Sequence, residues 1–245
     1  GLPTSHEPWC LFTHNRTKSH LASALVFHVP SLRISALPIK NPNQPWIVES
    51  MESPMNYKVM QSPETMRLFN YSMSYRLDSN FPIPYFSPSN TVHDLSQPLP
   101  RDTFSLRRSL AQGQAPILWL ASNCGATNHR SDFVAEMRRH VPVDCLGNCL
   151  TNGPKAPRGN SVEIMKKYKF YLALENSNCK DYVTEKLFRA LQVGVVPIVS
   201  GPLEQERADI GYRQFAPSHK SLIYADDFAH PRDLAHFVAQ IERNE

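Results

Sequence analysis

Residues 168–202 read YKFYLALENSNCKDYVTEKLFRALQVGVVPIVSGP, and the middle of this stretch is crowded with groups that bind and react. Glu175, Asn176, Ser177, Asn178, Asp181, Tyr182, Thr184, Glu185 and Lys186 bring carboxylates, amides, hydroxyls and one ammonium into a single short segment. Such a mixture suits a polar ligand that must be oriented and have its charge balanced. The flanks say where these groups stand. The apolar run 170–174 predicts a strand buried on both faces, as in a parallel sheet. Leu187, Phe188, Leu191 and Val193 give the following segment a helical stripe, with Asp181 or Thr184 as its cap. Gly194 ends that helix, and 195–199 predicts the next buried strand. In a β-loop-α-β unit the ligand sits where strand gives way to helix. The helix N-terminus and Lys186 together favour an anion there. The plainer alternative is a capped helix with a solvated Lys–Glu face.

Two other segments carry chemistry. Glu49-Ser-Met-Glu52-Ser-Pro54 follows an apolar run at 46–48, and Arg76 and Asp78 follow at a spacing that more often ties a loop than performs a reaction. Further on, Ser122-Asn123 ends the run 116–121, with Arg130 a few residues beyond.

Taken in order, these motifs resemble the α1,3-fucosyltransferases, glycosyltransferase family 10. ENSNCKDYVTEKL and GVVPIVSGP resemble that family's F-E-N-S, D-Y-[IV]-T-E-K and G-x-V-P-[IV]-V-x-G-P signature, with Leu174 where an aromatic is usual. Glu52-Ser-Pro54 resembles its E-S-P segment. The residues 68–79 and 82–85 resemble F-N-x-[ST]-x-[ST]-Y-R-x-D-S and V-P-Y, and Ser122-Asn123 to Arg130 keeps the family's S-N-to-Arg spacing.

The resemblance implies an α/β protein of GT-B type, two Rossmann-like domains facing a central cleft. The first, 1–102, would bind the acceptor, its usual opening strand before Cys10 being scarcely present. The second, 103–245, would bind GDP-fucose. The implied reaction is inverting transfer of fucose from GDP-fucose to a hydroxyl of a GlcNAc-containing glycan in α1,3 linkage. Glu52 would be the general base, with Glu49 its rival, and Glu185 would steady the positive charge developing on fucose. Arg130 and Lys186 would meet the diphosphate, one as a fork and one as a point charge. Asn176, Tyr182 and Glu175 would contact ribose, phosphate or guanine, alongside Ser122 and Asn123. Glu175 has an alternative as a buried structural carboxylate. Alternative functions are a protein O-fucosyltransferase acting on Ser/Thr of folded domains, and an inactive luminal binding homologue.

Composition agrees with an enzyme of this kind. A hydrophobic share of 41% and a charged share of 20% describe a globular chain. Its net charge of +4 is scattered, without the clustered basic face of a nucleic-acid binder. No Asp-x-Asp motif occurs, so no metal is expected, and a divalent cation such as Mn2+ is at most stimulatory. Cys145 and Cys149 form half a zinc pattern with no second half. The five cysteines are expected in part as disulfides of undetermined pairing, and Cys179, with no neighbouring His, is not expected to be a nucleophile.

No run reaches the ~20 apolar residues of a membrane-spanning helix, and no signal peptide is read, which alone would indicate a soluble cytosolic enzyme. The sequons Asn15-Arg-Thr17 and Asn70-Tyr-Ser72 permit glycosylation instead. Family members in animals and plants are type II Golgi membrane proteins. The resemblance therefore implies a luminal catalytic part, anchored through a segment absent from this chain, with a soluble bacterial cytoplasmic enzyme as the alternative. Expected partners are GDP-fucose and a glycan or glycoprotein acceptor. Between the two halves, 87–102 reads as a connector, 103–114 as a short basic helix, and 234–241 as a terminal helix packed on the sheet.

Overall fold

The computed structural model describes residues 11–86, 103, 106–157, 159, 161–201, 215–218 and 220–243. The connector read at 87–102, Cys10 and Pro202 lie outside the described residues. Two parallel sheets carry the fold. The first joins β1 (Leu25–His28), β2 (Trp46–Ser50), β3 (Tyr71–Ser74) and β4 (Phe81–Pro82) in that spatial order, with the single turn α1 (Pro63–Met66) between β2 and β3. The second has the order β6-β5-β7-β8-β9, from β5 (Ile117–Trp119), β6 (Val143–Cys145), β7 (Phe170–Leu172), β8 (Val196–Val199) and β9 (Ile223–Tyr224). Its helices are α2 (Arg130–Met137), α3 (Ser161–Met165), α4 (Glu185–Gln192) and α5 (Pro231–Arg243).

Side chains alternate across a strand, and the second sheet uses both faces. Ile117, Trp119, Phe170, Leu172 and Ile198 point to one side, against Val134 and Met137 of α2 and Leu234 and Val238 of α5. Leu118, Tyr171 and Val199 point to the other, against Leu187, Phe188 and Ala190 of α4. Every residue of β5 and β7 is buried as a result. The apolar runs read in the sequence are these two-sided strands.

The first sheet is covered differently. Phe27, Trp46 and Phe69 cluster on one face, with ring centroids 4.8 to 6.2 Å apart. The other face carries the row Val26, Ile47 and Tyr71 in register, with Phe81 nearby, and Val26, Tyr71 and Phe81 are all exposed.

The strands and helices expected at 25–27, 46–48, 116–121, 170–174, 195–199 and 234–241 are all present within a few residues of those bounds. The described residues of the segment 103–114, where a basic helix was expected, hold no α-helix, and Leu110–Gln112 forms a 3-10 turn. Arg107 explains the difference: its buried guanidinium donates to the carbonyls of Val193 and Gly194 at 2.5 Å each. A side chain drawn into that tertiary bracket serves as a tie between segments and not as the solvated face of a helix. Among the described residues one disulfide, Cys124–Cys149, is formed, and Cys145 and Cys179 are free thiols.

Candidate active site

The strand-to-helix turn after β7 is built around Glu175. Its carboxylate is 2% exposed, and Oε1 accepts from both the backbone N–H (2.8 Å) and the hydroxyl (2.7 Å) of Thr184. Oε2 accepts from Lys186 Nζ at 2.7 Å. Thr184 stands at the N-cap position of α4, yet its side chain makes no cap bond and turns to Glu175 instead. Asp181 does not cap either. It adopts a left-handed backbone (φ 58°), which Asp tolerates better than most residues, and its Oδ2 accepts from the Leu77 N–H at 3.1 Å. Gly194 closes the other end of α4 at φ 65°, the conformation a helix terminus needs and glycine adopts without strain.

Glu175 is thus buried and fully bonded within the turn, and it holds Lys186 in place. That ammonium is one-fifth exposed and also lies 3.8 Å from Glu185. Glu185, more open, lines a cavity of about 120 Å3 with Lys186, Arg189, Ser161 and Tyr171. Ser122 and Asn123 are exposed at the end of β5, beside the Cys124–Cys149 disulfide. Arg130, buried at the start of α2, donates to the carbonyls of Leu174 (2.7 Å) and Asn123 (3.0 Å). It therefore braces the loops after β5 and β7 against each other.

The base candidates come from the end of β2. Glu49 is inside that strand and points along the Val26–Tyr71 face, with His28 Nε2 3.8 Å away. Glu52 lies beyond the strand, where the chain turns. Ser50 Oγ donates to the Glu52 carbonyl and accepts from its N–H, both at 3.1 Å. Ser53 Oγ then accepts from the Met55 N–H, and Pro54 opens a single 3-10 turn to Asn56. The E-S-P sequence is in effect a capped turn start, with serine as cap and proline pre-set for the first helical position.

That turn aims Glu52 at the second sheet. Glu52 Oε2 accepts from the Tyr182 hydroxyl at 3.0 Å and from Asn56 Nδ2 at 3.0 Å. Asn56 Nδ2 also donates to Asn176 Oδ1 at 3.2 Å. Tyr182 packs between Tyr75 and Tyr85, at centroid distances of 4.9 and 6.4 Å. Burial, then the Glu52 charge, raises the Tyr182 phenol far above its ordinary range, so it stays a donor. Tyr85 is raised in the same way, first by burial and then by Glu52, Glu185 and Glu175. Glu175 and Glu185 share the Lys186 ammonium, at 2.7 and 3.8 Å. The Tyr85 hydroxyl donates to the Met51 carbonyl at 2.5 Å, which fixes the turn from the other side.

The structure therefore brings Glu52, Tyr182 and Asn176 into direct or one-residue contact, with Glu175, Lys186 and Glu185 alongside. Ser122, Asn123 and Arg130 form a neighbouring group linked through the Leu174 carbonyl. Asn56, Tyr85 and Cys179 were not singled out as site residues from the sequence. Cys179 Sγ sits 3.2 Å from Ser53 Oγ. Asn56 had a readable signal: it falls four residues after Glu52, one turn on from a Ser-Pro start. Arg76 and Asp78 form the expected loop tie, at 2.8 and 2.6 Å, and Lys180 approaches Asp78 at 3.5 Å.

Two parallel sheets with helices, meeting at the ends of their strands around a polar site, have the architecture of the GT-B fold. The model for "Glycosyltransferase family 10 (fucosyltransferase) C-term" matches residues 110–245, and "Fucosyltransferase, N-terminal" matches 3–86. This chain belongs to glycosyltransferase family 10. It is 33% identical over 98% of its length to GDP-fucose protein O-fucosyltransferase 3 of Gallus gallus, and 31% identical over 96% to that of Homo sapiens. It covers 51% and 50% of those proteins, so the chain spans about half the length of the relatives it matches. A crystal structure of an alpha1,3-fucosyltransferase with GDP-fucose superposes with a TM-score of 0.55 at 18% identity, over 82% of this chain and 64% of that one.

Proposed function

We propose that this chain forms the reaction centre of an inverting, GDP-fucose-dependent fucosyltransferase whose acceptor is a Ser or Thr hydroxyl of a folded protein domain. The observation that carries the catalytic part is the contact between Glu52 and Tyr182, which joins the E-S-P turn to the loop after β7. The choice of acceptor rests on similarity. Relatives at 31–33% identity are named protein O-fucosyltransferases, whereas the likeness to the α1,3 enzyme is one of fold. This favours the protein acceptor over the GlcNAc α1,3 acceptor expected first.

In this reading Glu52 takes the proton as the acceptor oxygen attacks C1 of fucose. The C1–O bond to GDP breaks on the opposite face, and the configuration inverts. Lys186 meets the negative charge on the departing diphosphate, and the Glu185 carboxylate faces the positive charge growing on the sugar. Arg130 keeps its assignment to the donor, while its guanidinium bonds to two carbonyls make it also the brace of that wall. Residues 1–102 are assigned to the acceptor and 103–245 to the donor. A luminal setting is supported by the Cys124–Cys149 disulfide, a bond that persists in oxidising compartments.

Labelled GDP-fucose incubated with folded Ser/Thr-bearing domains and, separately, with GlcNAc-containing glycans tests the proposal. Label on the domains and not the glycans is expected, and the reverse would restore the α1,3 reading. Binding of GDP-fucose with no transfer or hydrolysis would leave the inactive homologue. Transfer is expected to survive chelator, because the proposed charge balance uses side chains and no metal.

A further inference from the structure

Glu52 Oε2 receives two donors, from Tyr182 and from Asn56, whereas Oε1 receives none among the described residues. A general base works best in this state: one oxygen is held, and the other is open to the incoming O–H. Asn56 reaches Glu52 from four residues on, within a 3-10 turn whose start is capped by Ser53 Oγ and whose Pro54 carbonyl accepts from Gln61 Nε2 at 2.8 Å. The orientation of its amide follows from chemistry. Glu52 Oε2 and Asn176 Oδ1 are both acceptors, so the NH2 group must face them. Its two hydrogens are divided between the base and the loop after β7. Asn176 Oδ1 is further held by the Ser177 hydroxyl at 3.1 Å.

We propose that Asn56 is a positioning residue for the base, which holds Glu52 Oε2 so that Oε1 faces the acceptor hydroxyl and ties that orientation to the donor loop through Asn176. This rests on the reading of Glu52 as general base. Tyr182 holds the same oxygen, but its ring is part of an aromatic cluster, so changing it disturbs packing as well. Asn56 is exposed, and its substitution leaves the core intact.

The sign of an electrostatic effect separates positioning from mere structure. N56A removes the donor, and kcat is expected to fall roughly tenfold with KM for GDP-fucose changed by no more than about threefold. N56D keeps the shape of the side chain but sets a second carboxylate against Oε2. It is expected to be worse than N56A, with kcat down on the order of a hundredfold. A residue that only filled space would give the opposite order, with the isosteric N56D the milder variant. That order, or equal rates for both variants and wild type, overturns the proposal. If wild type transfers fucose to no acceptor, the protein-acceptor reading fails first. The same comparison is then made on hydrolysis of GDP-fucose, where water replaces the acceptor, and wild-type protein that neither transfers nor hydrolyses overturns both. Hydrogen exchange of peptides covering 175–182 requires no reaction. N56A is expected to speed it, and unchanged exchange would remove the tie to Asn176.

Discussion

The two sheets solve burial in different ways, and the site draws on the difference. The second sheet is enclosed on both faces, and its central residues Ile117, Leu118 and Ile198 are fully buried. It can therefore hold a preset ion pair, Glu175 with Lys186, at the end of a rigid strand. The first sheet packs its aromatics on one face and leaves Val26, half-exposed, on the other. Its contribution to the candidate site is a turn at its edge, held by serine hydroxyls and reaching across to Tyr182. In the proposed mechanism one half supplies a stiff charged seat, and the other a base on a short arm.

Four experiments press on that division of labour. Glu52→Gln is expected to cut turnover roughly 10²–10⁴-fold while leaving GDP affinity near wild type. Loss of GDP binding in that variant would break the division, since the base would then also be part of the seat. Lys186→Ala removes the partner of a carboxylate that is 2% exposed, so it is expected both to weaken GDP binding and to destabilise the protein by about 3–5 kcal/mol. Chemical denaturation beside calorimetric GDP titration checks both, and weaker binding without lost stability would show that Glu175 does not depend on the pair.

The contrast in packing makes a smaller claim. Leu172→Ala in β7 is expected to cost about 2–5 kcal/mol, and Val26→Ala in β1 about 0.5 kcal/mol or less. Similar unfolding midpoints for the two would mean that the exposed face of the first sheet is covered in solution. The smallest effect concerns Asp78, whose carboxyl is drawn down to about 2, chiefly by the hydrogen bonds from Arg76. A depressed carboxylate stabilises the fold above its unfolded value of about 4 and loses that contribution as pH falls through about 2. The pair is half-exposed and screened, so less than about 1 kcal/mol is at stake. Wild type and D78N are expected to converge in stability between about pH 4 and 2, and a constant gap across that window would assign the difference to packing.

The turn after β7 was legible because its parts are adjacent in the chain. Strand, polar loop, helix and strand follow one another, and each has a local signal in apolar periodicity or in Gly194. Its internal wiring was not. Thr184 reads as a cap from sequence, yet its hydroxyl donates to the buried Glu175 carboxylate and accepts from Lys186 Nζ at 2.8 Å instead of from the N–H groups of the helix end. The same holds for Arg107, whose partners are carbonyls far along the chain and not a helical turn of its own.

Glu49 and Glu52 show most directly where sequence stops. Their types and spacing nominate both as bases, and nothing local separates them. Strand alternation turns Glu49 onto the face of Val26 and Tyr71, whereas the capped turn after Ser50 carries Glu52 toward Tyr182. By itself the sequence determined the family, the α/β class and the polar loop after β7, because those are written in contiguous residues and their periodicity. The tertiary structure alone decided which carboxylate meets the loop after β7, that Cys124 pairs with Cys149, and that Asn56 bridges the two halves. Each of those is a contact between segments distant in the chain, and its geometry is set by packing that no local pattern encodes.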